Sequence, residues 1–200
     1  MTTPLAPGGN SDLSLEAFLD EVASAEILPG GGYVAAIALA MAAGLVSMAA
    51  RLSRDDWPEA RGAAAQAEAL RFRGVSLAER NARAYTDAVA ALAAKGETEE
   101  GARDHLIADA LERAADVPLR IAEAATDVSA LAAMVAEYCK AAVRADVAVA
   151  ALLSQAAARA GEALVTVNIG ATKEDERLAY ARELAGNASA ALTKALDALT

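Results

Sequence analysis

The chain has 200 residues, 56% of them apolar and only 4% aromatic, and alanine alone supplies more than a quarter. That length suits one domain with a substantial core, and so much of the best helix former with so little bulk points to helices packed through small side chains. A formal net charge of −10 argues against a nucleic-acid surface or an anionic-membrane patch, and the single cysteine, Cys139, excludes an internal disulfide and fits a reducing, cytoplasmic compartment.

Met1 to Asn10 has no positively charged start and reads as a disordered leader, which leaves a helical domain over 11–200. Ser11 or Asp12 is expected to cap a first helix whose stripe is Leu15, Phe18, Leu19 and Val22. That helix stops before Pro29-Gly30-Gly31-Gly32. A second runs from about Gly32 to Ser53, and from Tyr33 to Ala50 only Gly44 and Ser47 break the apolar run. This approaches membrane-spanning length. Much of it is alanine, however, and Arg51 and Arg54 follow directly, so it reads as the buried central helix of a bundle. No other segment resembles a span.

Asp55-Asp56-Trp57-Pro58-Glu59 marks a break and a restart. The third helix is expected from about Trp57 to Ala94, ended by Lys95-Gly96. Thr98 and Glu99 open a fourth that reaches about Tyr138, and Pro118 should kink or interrupt it. A fifth spans about Ala141 to Val167, and a sixth about Lys173 to Leu199, after the turn Asn168-Ile169-Gly170. With no strand alternation, repeat or linker, the expected architecture is an all-α, single-domain bundle of about six long helices.

The inventory removes several chemistries. No lysine follows the glycines at nucleotide-loop spacing and no strand precedes them. His105 stands alone in a polar stretch and reads as a solvated helix-face residue, and no Glu-x-x-His pair can build a di-metal site. No metal is expected.

What remains is a Gly-rich turn and a few polar residues among apolar ones. Gly30, Gly31 and Gly32 precede a helix start, where unpaired N–H groups and the dipole favour a polar or anionic ligand. A tight loop feeding a buried helix is the competing explanation. Asp146 is flanked by apolar residues, where a carboxylate is costly unless paired. Its partner is either structural (Arg144, Lys140 or a helix N-terminus) or a cationic substrate. Asn81 and Tyr85 share a helix face at i, i+4, and Asn168 reads as an end cap.

Taken in order, these pieces resemble the cyclodeaminase/cyclohydrolase family of folate enzymes. The likeness runs from Phe18-Leu19-Asp20 through Pro29-Gly30-Gly31-Gly32-x-Val34-Ala35-Ala36, Met48 and Glu79-Arg80-x-Ala82-x-Ala84-Tyr85. It continues with Pro118, Ile121-Ala122, Asp146 and Val167-Asn168-Ile169. The glycine motif with its Val-Ala-Ala tail is the most specific part.

The resemblance implies an all-helical homodimer with a folate site near the glycine loop and the dimer interface, needing no metal or separate cofactor. The implied reaction is hydrolysis of 5,10-methenyltetrahydrofolate to 10-formyltetrahydrofolate, or closure of 5-formiminotetrahydrofolate with loss of ammonia. A non-catalytic dimer that keeps the fold is the rival. In the enzyme reading Asp146 stabilises the cation or deprotonates water. Asn81 and Tyr85 orient the substrate, and backbone N–H groups of Gly30 to Gly32 hold an oxygen of the ligand. Lys140, Arg144, Arg51 or Arg54 meets the glutamate tail. The chain departs from the family pattern at Tyr33, where a small residue is usual, at Asn81, where aspartate is common, and at Cys139-Lys140, where Gly-Asn is usual. Tyr33 at that position is expected to border the ligand space.

Overall fold

In a computed structural model the described residues are 14–93, 100–170 and 175–199, with side chains described outside 91–113. The expected leader, the cap at Ser11 or Asp12, the Lys95-Gly96 stop, the Thr98-Glu99 and Lys173 starts and the His105 side chain lie outside them.

The described residues form six helices: α1 Leu15–Ala23, α2 Gly31–Leu52, α3 Ala60–Ala93, α4 Glu100–Tyr138, α5 Arg144–Ile169 and α6 Glu176–Asp197. The first cap is Ser14, whose hydroxyl accepts the Ala17 N–H at 3.1 Å. A single 3-10 turn, Ala141–Val143, leads into α5, so that helix starts later than the apolar run suggests. Asp175 caps α6 by accepting the Arg177 N–H at 2.9 Å. Gly170 closes α5 at φ +90°, a conformation that favours glycine.

Helix α2 packs against α3, α4 and α5, while α4 and α5 pack on each other and on α6. Its buried positions are mostly alanine, with Leu39 and Val46 wholly enclosed. That matches the expected central helix. A second segment, Ala141–Ile169, is also long and apolar enough to cross a membrane, contrary to the expectation that only α2 qualifies. In the bundle it packs on α2, α4 and α6.

Pro118 was expected to kink or interrupt its helix; it does not interrupt it, since α4 runs from Glu100 to Tyr138 with Pro118 inside. Proline supplies no N–H for the carbonyl four residues back, which is that of Ala114. That carbonyl instead accepts the Asn168 Nδ2 of α5 at 2.6 Å. Asn168 therefore repairs α4 rather than capping its own helix. Beside this join, a Cβ on Gly161 would lie 2.8 Å from the Pro118 carbonyl oxygen and 2.9 Å from the Ala122 Cβ. Only glycine lets α5 approach that closely. Asn168→Ala should lower stability by about 1 kcal/mol. In a Pro118→Ala background that loss should vanish, because residue 118 then supplies the missing donor; urea denaturation of the double-mutant cycle reads it.

Candidate active site

The glycine loop sits at the N-terminal end of α2. Leu28–Pro29 is a cis peptide, and Gly30 takes the N-cap position without a side-chain cap. The first-turn N–H groups therefore have no capping side chain, and no acidic residue lies in that turn. Gly30 and Gly31 border a cavity of about 500 Å³ that Val34, Ala35 and Ala38 of α2 and Ala156, Ala157 and Ala160 of α5 also line. Gly31 has open space where a side chain would project. Gly32 has none, because the Asn81 carboxamide of α3 lies directly over it. The structure thus joins Asn81 to the glycine loop, through a contact that absence of a Cβ permits. The carboxamide has no hydrogen bond to a described residue and is half-buried.

Tyr33 goes elsewhere. It is buried in the core, its ring 5.9 Å from that of Phe18, and it does not line the cavity. The expectation that it borders the ligand space is not met within this subunit, and the loop is not plugged by its phenol. Tyr85 is partly exposed on the same helix as Asn81.

The second group of expected residues lies at the other end of the bundle. The Ser53 hydroxyl, just past α2, accepts the Lys140 backbone N–H at 2.9 Å, and Lys140 Nζ pairs with Asp56 at 3.4 Å. Arg144 begins α5 with its Nε buried and without a hydrogen-bond partner among the described residues. Asp146 stands in the first turn of α5, not in mid-helix, and is half-buried. It pairs with neither Arg144 nor Lys140, nor with any other described residue. A carboxylate there has the helix dipole in its favour and needs no internal counter-ion. Burial pushes the neighbouring Cys139 thiol up, so it is held as an inert thiol.

From Asp146 to Ala156, the nearest lining residue of the glycine cavity on α5, is about 15 Å along the helix. Asn168 is further still, at the far end of the same unbroken helix. One subunit therefore brings Gly30, Gly31, Gly32 and Asn81 together and leaves Asp146, Lys140 and Arg144 apart from them.

A third feature was not read from the sequence. Ser47 and Arg51 of α2 and Glu68 and Arg71 of α3 border a notch of about 490 Å³ with Gly44, Met48 and Leu52. Glu68 accepts from Arg71 Nε at 3.0 Å and from Arg51 at 3.3 Å. The Arg71 hydrogen bond holds the Glu68 carboxyl below its usual range, so the pairing survives moderate acidification and is lost only as pH falls through that lowered value. The Glu68–Arg71 spacing of three was the one available signal. The pairing with Arg51 needs the α2–α3 packing.

A family model for formiminotransferase-cyclodeaminase matches residues 14–187. A methenyltetrahydrofolate cyclohydrolase from Methylorubrum extorquens is 34% identical over 178 residues, covering 85% of this chain and 84% of that protein. The crystal structure of a formiminotetrahydrofolate cyclodeaminase from Thermotoga maritima superposes with a TM-score of 0.83 at 25% identity, covering 94% of this chain and 96% of the other. Nearly the whole described bundle, including the glycine loop, Asn81 and Asp146, lies inside the matched span, and the chain belongs to the formiminotransferase-cyclodeaminase family.

Proposed function

We propose that this protein hydrolyses 5,10-methenyltetrahydrofolate to 10-formyltetrahydrofolate, as a homodimer in the cytoplasm. The observation that carries the reading is the Asp146 carboxylate, half-buried and without a partner among the described residues, in a chain 34% identical to a cyclohydrolase. The substrate's bridging carbon belongs to a delocalised cation, which such a carboxylate stabilises. Asp146 takes a proton from water as the oxygen adds to that carbon. The tetrahedral adduct then loses its hydroxyl proton as the bond from the carbon to N5 breaks and N5 is protonated. The sum is one water consumed and one proton released.

The separation of the two groups within one subunit supports the dimer. Val34, Met41, Met48 and Leu52 form an exposed apolar stripe along α2, with Met41 53% and Leu52 52% accessible. On α5, exposed Val149 and Leu152 lie on the face of Ala156, which lines the glycine cavity with Val34. Two copies packed antiparallel along these stripes bury them. That arrangement sets the glycine loop and Asn81 of one copy beside Asp146 of the other. Opposite charges also meet, since Glu26 lies at the loop end and Arg51 at the far end. A parallel pairing sets Arg51 against its own copy.

The deaminase activity is the second reading, favoured by the likeness to the Thermotoga cyclodeaminase. Parallel assays separate the two: loss of methenyl absorbance supports hydrolysis, and ammonia released from 5-formiminotetrahydrofolate supports deamination. Neither signal from a folded dimer would support a non-catalytic scaffold.

A further inference from the structure

We propose that α1 and the turn after it form a lid on the glycine cavity, latched by the Phe18–Tyr33 ring pair and closing over a pterin ring. The pterin rests on the folate reading above. One wall of the cavity is built from the alanines of α2 and α5, which belong to the packed bundle. The other wall is Val22 near the end of α1, with Glu26 and Ile27 just beyond it. Helix α1 has nine residues and buries none of them. A helix that short is marginal by itself and holds its place through tertiary contacts. Segments with so little buried apolar surface open at the lowest free-energy cost, and lids are drawn from them.

Among the large apolar side chains of α1, Phe18 is the one packed against the core, while Leu15 and Leu19 stay exposed. Its ring lies 5.9 Å from that of buried Tyr33 at an interplanar angle of 39°, a favourable separation for two aromatic rings. Phe18 and Val22 share a face of α1, four residues and about 6 Å apart, so the latch sets where Val22 stands at the cavity. The Ser24 hydroxyl ties the turn to the helix, donating to the Glu21 carbonyl at 2.8 Å and accepting the Glu26 N–H at 3.2 Å. Helix and cavity wall therefore move as one piece. Val22 and Ile27 are exposed, and a planar ring in the cavity gives them an apolar face to cover. A small residue at position 33 would leave Phe18 no ring to pack on. Tyr33 is thus a positioning residue that acts through α1 rather than on the ligand.

Hydrogen exchange with and without saturating tetrahydrofolate, and the dissociation rate of that ligand by stopped flow, test the lid. The ligand should slow exchange of the α1 amides about 10-fold. Phe18→Ala should abolish that slowing and raise the dissociation rate about 10-fold, with association changed by less than about twofold. Its thermal midpoint should stay near that of the wild type, since Phe18 is only partly buried at the edge of the core. Tyr33→Ser should match Phe18→Ala in dissociation rate, and the two changes combined should add nothing further. Tyr33→Phe keeps the ring and should bind as the wild type does. A contact that only supports the fold would lower the midpoint in Phe18→Ala and Tyr33→Ser and leave dissociation as it was. Wild-type dissociation from Phe18→Ala, or α1 exchange indifferent to the ligand, overturns the lid and leaves the folate reading standing. No binding of tetrahydrofolate by the folded wild type overturns both.

Discussion

Asp146→Asn lowers kcat for methenyltetrahydrofolate hydrolysis by about two to three orders of magnitude, the range expected when a general base is lost. Thermal unfolding changes little. The carboxylate has no partner among the described residues whose loss would cost stability, and its place in the first turn of α5 is worth less than about 1 kcal/mol through the helix dipole. Activity and stability therefore separate at this residue. A variant as fast as wild type would remove Asp146 from the mechanism.

Gly161→Val is expected to have the largest effect on stability. The new side chain starts 2.8 Å from the Pro118 carbonyl oxygen and 3.0 Å from the Ala122 backbone nitrogen, and backbone atoms do not move aside as a flexible side chain does. Separating α4 from α5 also strains the Asn168–Ala114 hydrogen bond that completes the helix around Pro118. The expected loss is about 2–3 kcal/mol from overpacking, which lowers the midpoint of thermal unfolding by about 5–10 °C for a chain of this size. Gly186→Ala is the matched control. Its position in α6 has open space, so alanine should raise stability by about 0.5–1 kcal/mol through helix propensity. Differential scanning calorimetry on both variants checks the pair of opposite signs.

The helices were legible because each has a local signature. The long alanine-rich run gave α2 to within a residue at each end, and Trp57-Pro58 marked the restart, although regular α3 begins only at Ala60. Asp146 was also legible as an exceptional residue, but its surroundings were not. Its apolar neighbours in sequence suggested a buried carboxylate, whereas the 3-10 turn delays α5 and leaves Asp146 at the helix start. Pairing across helices was what the sequence withheld. Nothing local ties Asn168 to Ala114, Asn81 to Gly32, or Arg51 to Glu68, since each contact depends on which helix lies beside which. Pro118 illustrates the same limit, because the donor that rescues its helix comes from another element.

The alanine lining of the bundle reverses the usual vulnerability of a protein interior. Trimming a methyl group leaves almost no void, while each added carbon must force two helix axes apart. Random mutagenesis selected for solubility should therefore purge enlargements at enclosed positions such as Ala36, Ala43 and Ala125 far more severely than their reduction to glycine.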